Sequence, residues 1–485
     1  MSKIYVFGIG GTGSRVIKAL TMLLASGVAI NTDSIVPIII DPDDAAADLT
    51  RAVRQMREYT FIHKKLDLTT SNKNQFFSNP MEELVKNFRM SLEDTRDIRF
   101  RDYIAQSEMK NKDGSFNANY ALTSMLFSEE NLDSYMEVGF KGNPNVGSVV
   151  LNQFAKSQTF TEFASTFKQG DRIFIVSSIF GGTGASGFPL LLKNLRGIDA
   201  SMPGYGLIKD APIGAITLLP YFDVTQSEDS KINSSTFIAK SKAALSYYDR
   251  NISGNKSLNA LYYLGDTLSS QYKNSEGGVS QKNNAHFIEL LAALSIIDFA
   301  KLDSTRLECN DGEALYPIYK EFGMKEDSSC VTFPDLENAT LDIIQAPMTR
   351  FVLFCKYMEE NLDNSYKSQP YAVDHKLDSN FFKSGFYASS LKYIREAYIE
   401  WLKEMGNNQR GFEPFELEIS KKELFDLVKG VPPRKVMSLK SNYDLYTDRL
   451  NSISKKTSRD GLAEQRFMEI FYCATKKIVQ EKFGF

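Results

Sequence analysis

Two glycine-rich stretches, each set between an apolar strand and the start of a helix, constrain this chain more than any other feature. Gly8-Ile-Gly-Gly-Thr-Gly-Ser14 follows the run Lys3 to Phe7, and Phe180-Gly-Gly-Thr-Gly-Ala-Ser-Gly187 follows Arg172 to Ser177. Glycine at such a turn leaves backbone N–H groups open to phosphate oxygens, and the helix start adds partial positive charge. Two turns of this kind on strands of one parallel sheet point to a nucleotide gripped from two sides. Gly10, Gly11, Thr12, Gly13 and Ser14 form the first grip. Gly181, Gly182, Thr183, Gly184, Ala185 and Ser186 form the second, with Thr183 and Ser186 as hydroxyl donors. Asp41, at the tip of the apolar run Ile35 to Ile40, stands where an acid meets a ribose in dinucleotide folds.

The spacing of apolar residues supplies the frame for these turns. Residues 14–25 carry helical periodicity, and the near-continuous run 35–40 predicts a strand of a parallel sheet covered on both faces. Residues from about 50 to 138 read as helices and long loops inserted between sheet strands. A turn cluster, Gly139 to Gly147, leads into a helix through about 168, a strand at 172–177, a helix at 189–196 and a strand at 213–219. A polar helix at 230–250, a strand at 258–264 and a long helix at 284–300 follow. Beyond about 303, strands at 330–333, 341–344 and 350–355, with helices near 387–404, 419–428 and 461–482, predict a smaller α+β domain with a helical tail.

Composition closes off other classes. A hydrophobic content of 42% supports buried cores, and a formal charge of -3 over 485 residues argues against a general nucleic-acid partner. The four cysteines have no CxxC spacing and there are only three histidines, so neither a disulfide framework nor a zinc centre is indicated. Met-Ser-Lys passes directly into a strand, and no apolar run reaches the roughly 18 residues of a membrane span, so a cytoplasmic protein is expected.

In their order along the chain, the glycine stretches resemble those of the tubulin/FtsZ superfamily. Ser178 to Pro189 is similar, without gaps, to the FtsZ signature GMGGGTGTGAAP, and Gly8 to Gly13 to its GxGGxG turn. Gly139-Phe-Lys-Gly-Asn-Pro-Asn-Val-Gly147 resembles GAGANPEVG, the family's loop at the terminal phosphate, which implies Gly142 and Asn143 there. Leu218-Leu-Pro-Tyr-Phe222 looks like the ribose-side loop, with Pro220 bordering the sugar. Where the family sets a carboxylate against the purine, this chain has His286, with Asn283 and Asn284 beside it. It also departs at Phe180, Ala185 and Ser186 of the signature. Arg15 is a further phosphate candidate.

The resemblance implies a nucleotide domain over residues 1–302, with a central helix at about 284–300, and a second domain over 303–485. It implies GTP or GDP as ligand, with Mg²⁺ held through the nucleotide and water, helped by Asp41 and Asp44, and self-assembly head to tail. The family's hydrolytic Asn-x-Asp loop has no recognisable register here. Asp303, Glu308 and Asp311 are the candidates in its place. The insertion at 50–138, or the C-terminal domain, is a candidate surface for another protein partner. Two other readings stand beside this one. Asp41 to Asp43 and Asp48-Leu-Thr-Arg51 resemble elements of ATP-dependent adenylating enzymes that activate ubiquitin-like or sulfur-carrier proteins, and a nucleotide-bound scaffold without turnover fits the same loops. A plain NAD-dependent dehydrogenase ranks third, because it offers no second glycine loop.

Overall fold

The computed structural model describes residues 2–43, 45–68, 76–93, 95–136, 140, 143–225, 234–266, 271–273, 283–321, 328–359, 362, 366–434 and 439–485. Six parallel strands form the central sheet: β1 (Lys3–Ile9), β2 (Ser34–Ile40), β3 (Arg172–Ser178), β4 (Ile213–Leu218), β5 (Ala260–Leu264) and β6 (Ile318–Glu321). Their order in space is β2-β1-β3-β4-β5-β6. Every residue of β2 and β4 is buried, as runs such as Ile-Val-Pro-Ile-Ile-Ile require of a sheet covered on both faces. The parallel α/β class expected from the sequence is therefore borne out.

Part of the insertion extends this sheet instead of looping away from it. Residues 81–89 run parallel to β2, with single bridges at Ile35–Met81 and Ile39–Arg89. Pro37 stands between the two bridged positions on the same side of β2. It has no N–H to donate, which explains why the segment makes two isolated bridges and not a regular strand. With that segment counted, the chain runs outward from β1 through β2 to one edge, then crosses back to β3 and runs outward to the other, so the order reverses between β1 and β3. Open α/β sheets bind ligands at the carboxyl ends of their strands where the order reverses.

Five helices bear on that place: α1 (Gly10–Ala25), α2 (Ala47–Leu66), α3 (Gly182–Arg196), α4 (Phe287–Lys301) and α5 (Lys392–Gly406). The helices begin within the glycine stretches, at Gly10 and Gly182, and not after them at residues 14 and 189 as the periodicity suggested. Helix α4 is apolar nearly all round and buried along its length, packed against the sheet and against α1.

The C-terminal part differs from expectation in its strands. Residues 341–344 and 350–355 belong to one helix, Asn338–Glu359, whose buried Thr340, Ile344, Met348, Phe351, Val352 and Cys355 recur at helical spacing. Short apolar runs do not separate strand from buried helix. Helices Asn442–Ser454 and Ala463–Lys482 complete this part, in which Cys330–Val331 pairs with Gly411–Phe412 and Cys309–Asn310 with Glu313–Ala314. No helix among the described residues is long and apolar enough to cross a membrane.

Candidate functional site

The two glycine turns touch. Gly10 has φ +70°, and a Cβ built on it would lie 3.3 Å from the Thr183 side chain and 3.7 Å from the Gly184 nitrogen. The third loop joins them through Gly147, where a Cβ would clash with the Ser186 hydroxyl and approach Phe140 to 2.9 Å. Three segments far apart in sequence thus meet at the carboxyl ends of β1 and β3.

Within the turns the glycines divide into two kinds. A Cβ on Gly13 would fall 2.3 Å from the Gly8 carbonyl carbon, and one on Gly184 2.5 Å from the Ser178 carbonyl oxygen. These glycines let each helix leave its strand at close range. Gly11 and Gly181 are partly exposed; a Cβ on Gly11 would meet only Arg15, at 3.6 Å. Neither α1 nor α3 has a side-chain cap, so the N–H groups of both first turns stand available at the cleft. Thr183, Ala185 and Asn143 are also partly exposed, whereas Thr12, Ser14 and Ser186 are buried. The Ser14 hydroxyl donates to the Gly10 carbonyl (3.3 Å) and the Ser186 hydroxyl to the Gly182 carbonyl (2.7 Å). Ser186 therefore serves the helix and not the cleft. Gly142 and Asp44 lie outside the described residues.

The segment expected at the sugar packs against this constellation. Phe180 turns inward to Tyr221 and Phe222, at ring distances of 6.0 and 5.4 Å, which leaves the glycines beside it unobstructed. Pro220 is half-buried next to them. Tyr221 meets the His286 ring edge to face at 5.0 Å, linking the sugar side to the start of α4.

His286 itself is a helix cap. Its Nδ1 accepts the Ile288 N–H at 3.1 Å, and Glu289 Oε2 accepts the His286 N–H at 3.1 Å, a reciprocal capping box. Burial pushes its pKa down to about 4, with Arg15 and Arg410 adding to the shift and Asp266 opposing it. The ring is thus neutral, with its proton on Nε2. Ahead of it, Asn283 is half-buried and Asn284 exposed.

Sequence reasoning missed the buried ion cluster beneath these loops. Arg15 lies 2.5 Å from Glu289 and 3.4 Å from Asp48, donates to Tyr221 at 2.9 Å and contacts the Thr12 hydroxyl at 3.4 Å. It is 4% exposed and spoken for by these partners, so it is an internal strut and not the phosphate ligand the sequence suggested. Lys18 pairs with Glu404 at 3.0 Å, and Arg51 pairs with Asp48 at 2.7 Å and Glu404 at 2.5 Å. The available signal was the setting of Arg15 and Lys18 in a helix otherwise apolar on nearly every side.

Asp41 ends β2 as expected but is buried. Its Oδ1 accepts the Asp43 N–H at 3.1 Å. Burial pushes its pKa up to about 7; the nearby Asp43 charge adds to this, while the Asp43 N–H, Arg89 and Arg15 work against it. Asp303, Glu308 and Asp311 are exposed and lie at the other end of the sheet. Arg172, the first residue of β3, donates to the Phe299 carbonyl at 2.8 Å, which places the end of α4 at the amino ends of the strands. Asp303 caps residues 304–306, and Asp311 pairs with Lys209 at 2.5 Å, shortly before β4 begins. A seven-residue strand spans roughly 20 Å, so these acids cannot reach the glycine turns of their own chain.

No family model matches the chain, and no curated protein does. Solved structures do. CetZ1 from Haloferax volcanii, a GDP-bound monomer, is 14% identical over 62% of each chain with a TM-score of 0.29. CetZ2 from the same organism, a GTPγS-bound protofilament, is 12% identical over 73% of this chain and 72% of that one, with a TM-score of 0.30. The TubZ-Bt two-stranded filament is 12% identical over 83% and 79%, with a TM-score of 0.27. This chain spans less than two thirds of CetZ1. At this level of overlap the functional reading rests on the loops themselves.

Proposed function

We propose that this chain binds GTP or GDP at the carboxyl ends of β1 and β3 and assembles head to tail. The observation that carries the reading is convergence. The two glycine turns, the Asn143–Gly147 loop, the Leu218–Phe222 segment and the residues before α4 meet at one place, in the arrangement the family resemblance calls for. The N–H groups of the first turns of α1 and α3, around Gly11 and Gly182, would hold the phosphates. Mg²⁺ would arrive with the nucleotide, its remaining positions filled by water.

The polarity of the sheet supports assembly. The nucleotide cleft occupies one end, and the exposed Asp303, Glu308 and Asp311 the other, so a second copy stacked along the strand axis would bring those acids toward the first copy's terminal phosphate. Such a contact is heterologous and propagates as an open filament. The adenylating alternative loses ground because Asp48 and Arg51 are tied into the buried ion cluster.

Equilibrium titration with fluorescent GDP tests the site. The parent chain is expected to bind, and Gly182→Trp, which fills the cleft at the start of α3, to abolish binding. Unchanged affinity in that variant would remove the site assignment. Light scattering and phosphate release followed together with GTP separate a hydrolysing filament from a scaffold, which would scatter light without releasing phosphate.

A further inference from the structure

Side chains from distant elements hold the peptide groups of the residues ahead of α4. Asp48 on α2 accepts the Asn283 N–H at 3.3 Å, and Arg51 donates to the Asn283 carbonyl at 2.9 Å. Glu404 on α5 accepts the Ala285 N–H at 3.0 Å, and Asn408, just beyond that helix, donates to the Ala285 carbonyl at 2.8 Å. Both hydrogen-bonding groups of Ala285 are thus satisfied from the C-terminal part of the molecule. Ala285 is fully buried, and its neighbours Asn284 and His286 face different surroundings, exposed and enclosed respectively.

Glu404 is suited to the task. Lys18 and Arg51 flank it at 3.0 and 2.5 Å. Although its burial favours the neutral acid, these two cations hold its pKa below the usual range. It is therefore a fixed anion, and a carboxylate accepting from a backbone N–H makes a stronger bond than a neutral acceptor. Lys18 lies one turn along α1 from Arg15, so the same cluster runs from the first glycine turn to Glu404.

We propose that Glu404 and Asn408 are positioning residues for the purine end of the nucleotide site, acting through the backbone of Ala285. The inference rests on the GTP/GDP reading above. It makes base recognition depend on the C-terminal part, whereas phosphate binding depends on the glycine turns alone.

The test compares GDP, ADP and tripolyphosphate on the full chain, each measured calorimetrically at a temperature where circular dichroism shows the variant folded. Glu404→Gln removes the charge, and Asn408→Ala, at a half-exposed position, removes the donor with less risk to folding. Each is expected to weaken GDP at least about tenfold and to narrow the GDP-over-ADP preference, leaving tripolyphosphate affinity within about twofold of the parent. Equal loss of GDP and tripolyphosphate in Asn408→Ala would mark a merely structural role and overturn the inference. So would unchanged GDP affinity and preference in that variant. If the parent binds none of the three ligands, the nucleotide reading fails and the inference with it; if it binds them and only the variants behave otherwise than expected, the inference alone fails.

Discussion

Single glycines carry opposite duties within one short motif, and substitution separates them. Gly13 touches the Gly8 backbone so closely that an alanine there must push α1 off β1. Gly13→Ala is expected to cost about 3 kcal/mol or more in urea unfolding, in the range of overpacked cores. Gly11→Ala meets only the end of Arg15 and should change stability by less than about 1 kcal/mol, while weakening GDP by narrowing the approach to the N–H groups. The motif announced glycine at both positions; which one faces the ligand depends on where strand and helix cross, and no spacing rule encodes that. Asp41 is a second residue whose environment the sequence concealed. Its folded pKa of about 7 lies above that of an unfolded aspartate near 3.8, so the folded chain binds the extra proton between those values. The stabilisation is complete below about pH 4 and is lost as the pH rises through 7. His286 acts in the opposite sense: with a folded pKa of about 4 against 6.5 unfolded, it favours the folded chain above 6.5 and loses that contribution as the pH falls toward 4. Asp41→Asn should therefore match the parent near pH 4 and exceed it near pH 8, by up to about 4 kcal/mol, in thermal or denaturant unfolding. Equal stabilities at both pH values would show that Asp41 is not held protonated.

Among the elements, helix α1 and the central helix α4 are joined by charge as much as by apolar packing. Arg15 links them through Glu289 and reaches Asp48 on α2, with all three side chains nearly out of solvent. Removing one partner of such a group leaves buried charge uncompensated. Arg15→Met is thus expected to cost about 3–5 kcal/mol in urea unfolding, well beyond what the lost methylenes explain, and a loss below about 1 kcal/mol would show that water reaches the cluster. Five of the six sheet strands were legible because continuous runs such as Ile35 to Ile40 bury both faces, whereas the edge strand β6, the half-exposed Ile318-Tyr-Lys-Glu321 beyond the expected boundary at 302, was not. The helix Asn338–Glu359 was not, since Pro347 and short apolar runs break its pattern while tertiary packing restores the helix. The ion cluster was only half legible: Arg15 and Lys18 stand out in an otherwise apolar helix, but their partners Asp48, Glu289 and Glu404 lie on other helices that only the fold brings together.

On the scale of the whole molecule, the sheet separates the glycine-turn cleft from the three candidate acids by its own length. One end gathers the loops that would hold the nucleotide, and the other exposes Asp303, Glu308 and Asp311, too far away to serve the same chain. If these acids serve hydrolysis, the proposed head-to-tail contact requires two copies for it, and complementation can detect this. Gly182→Trp disables the cleft but keeps the acids, whereas alanine at all three acids keeps the cleft. Each variant alone is expected to release almost no phosphate from GTP. In an equimolar random copolymer, about a quarter of the contacts would pair an intact cleft with intact acids, so the mixture should recover up to about a quarter of the parent rate. Recovery would also fall on dilution, because the competent unit forms only between chains. A triple alanine variant that hydrolyses GTP like the parent would instead release these acids from any catalytic part and leave the opposite end of the sheet with assembly alone.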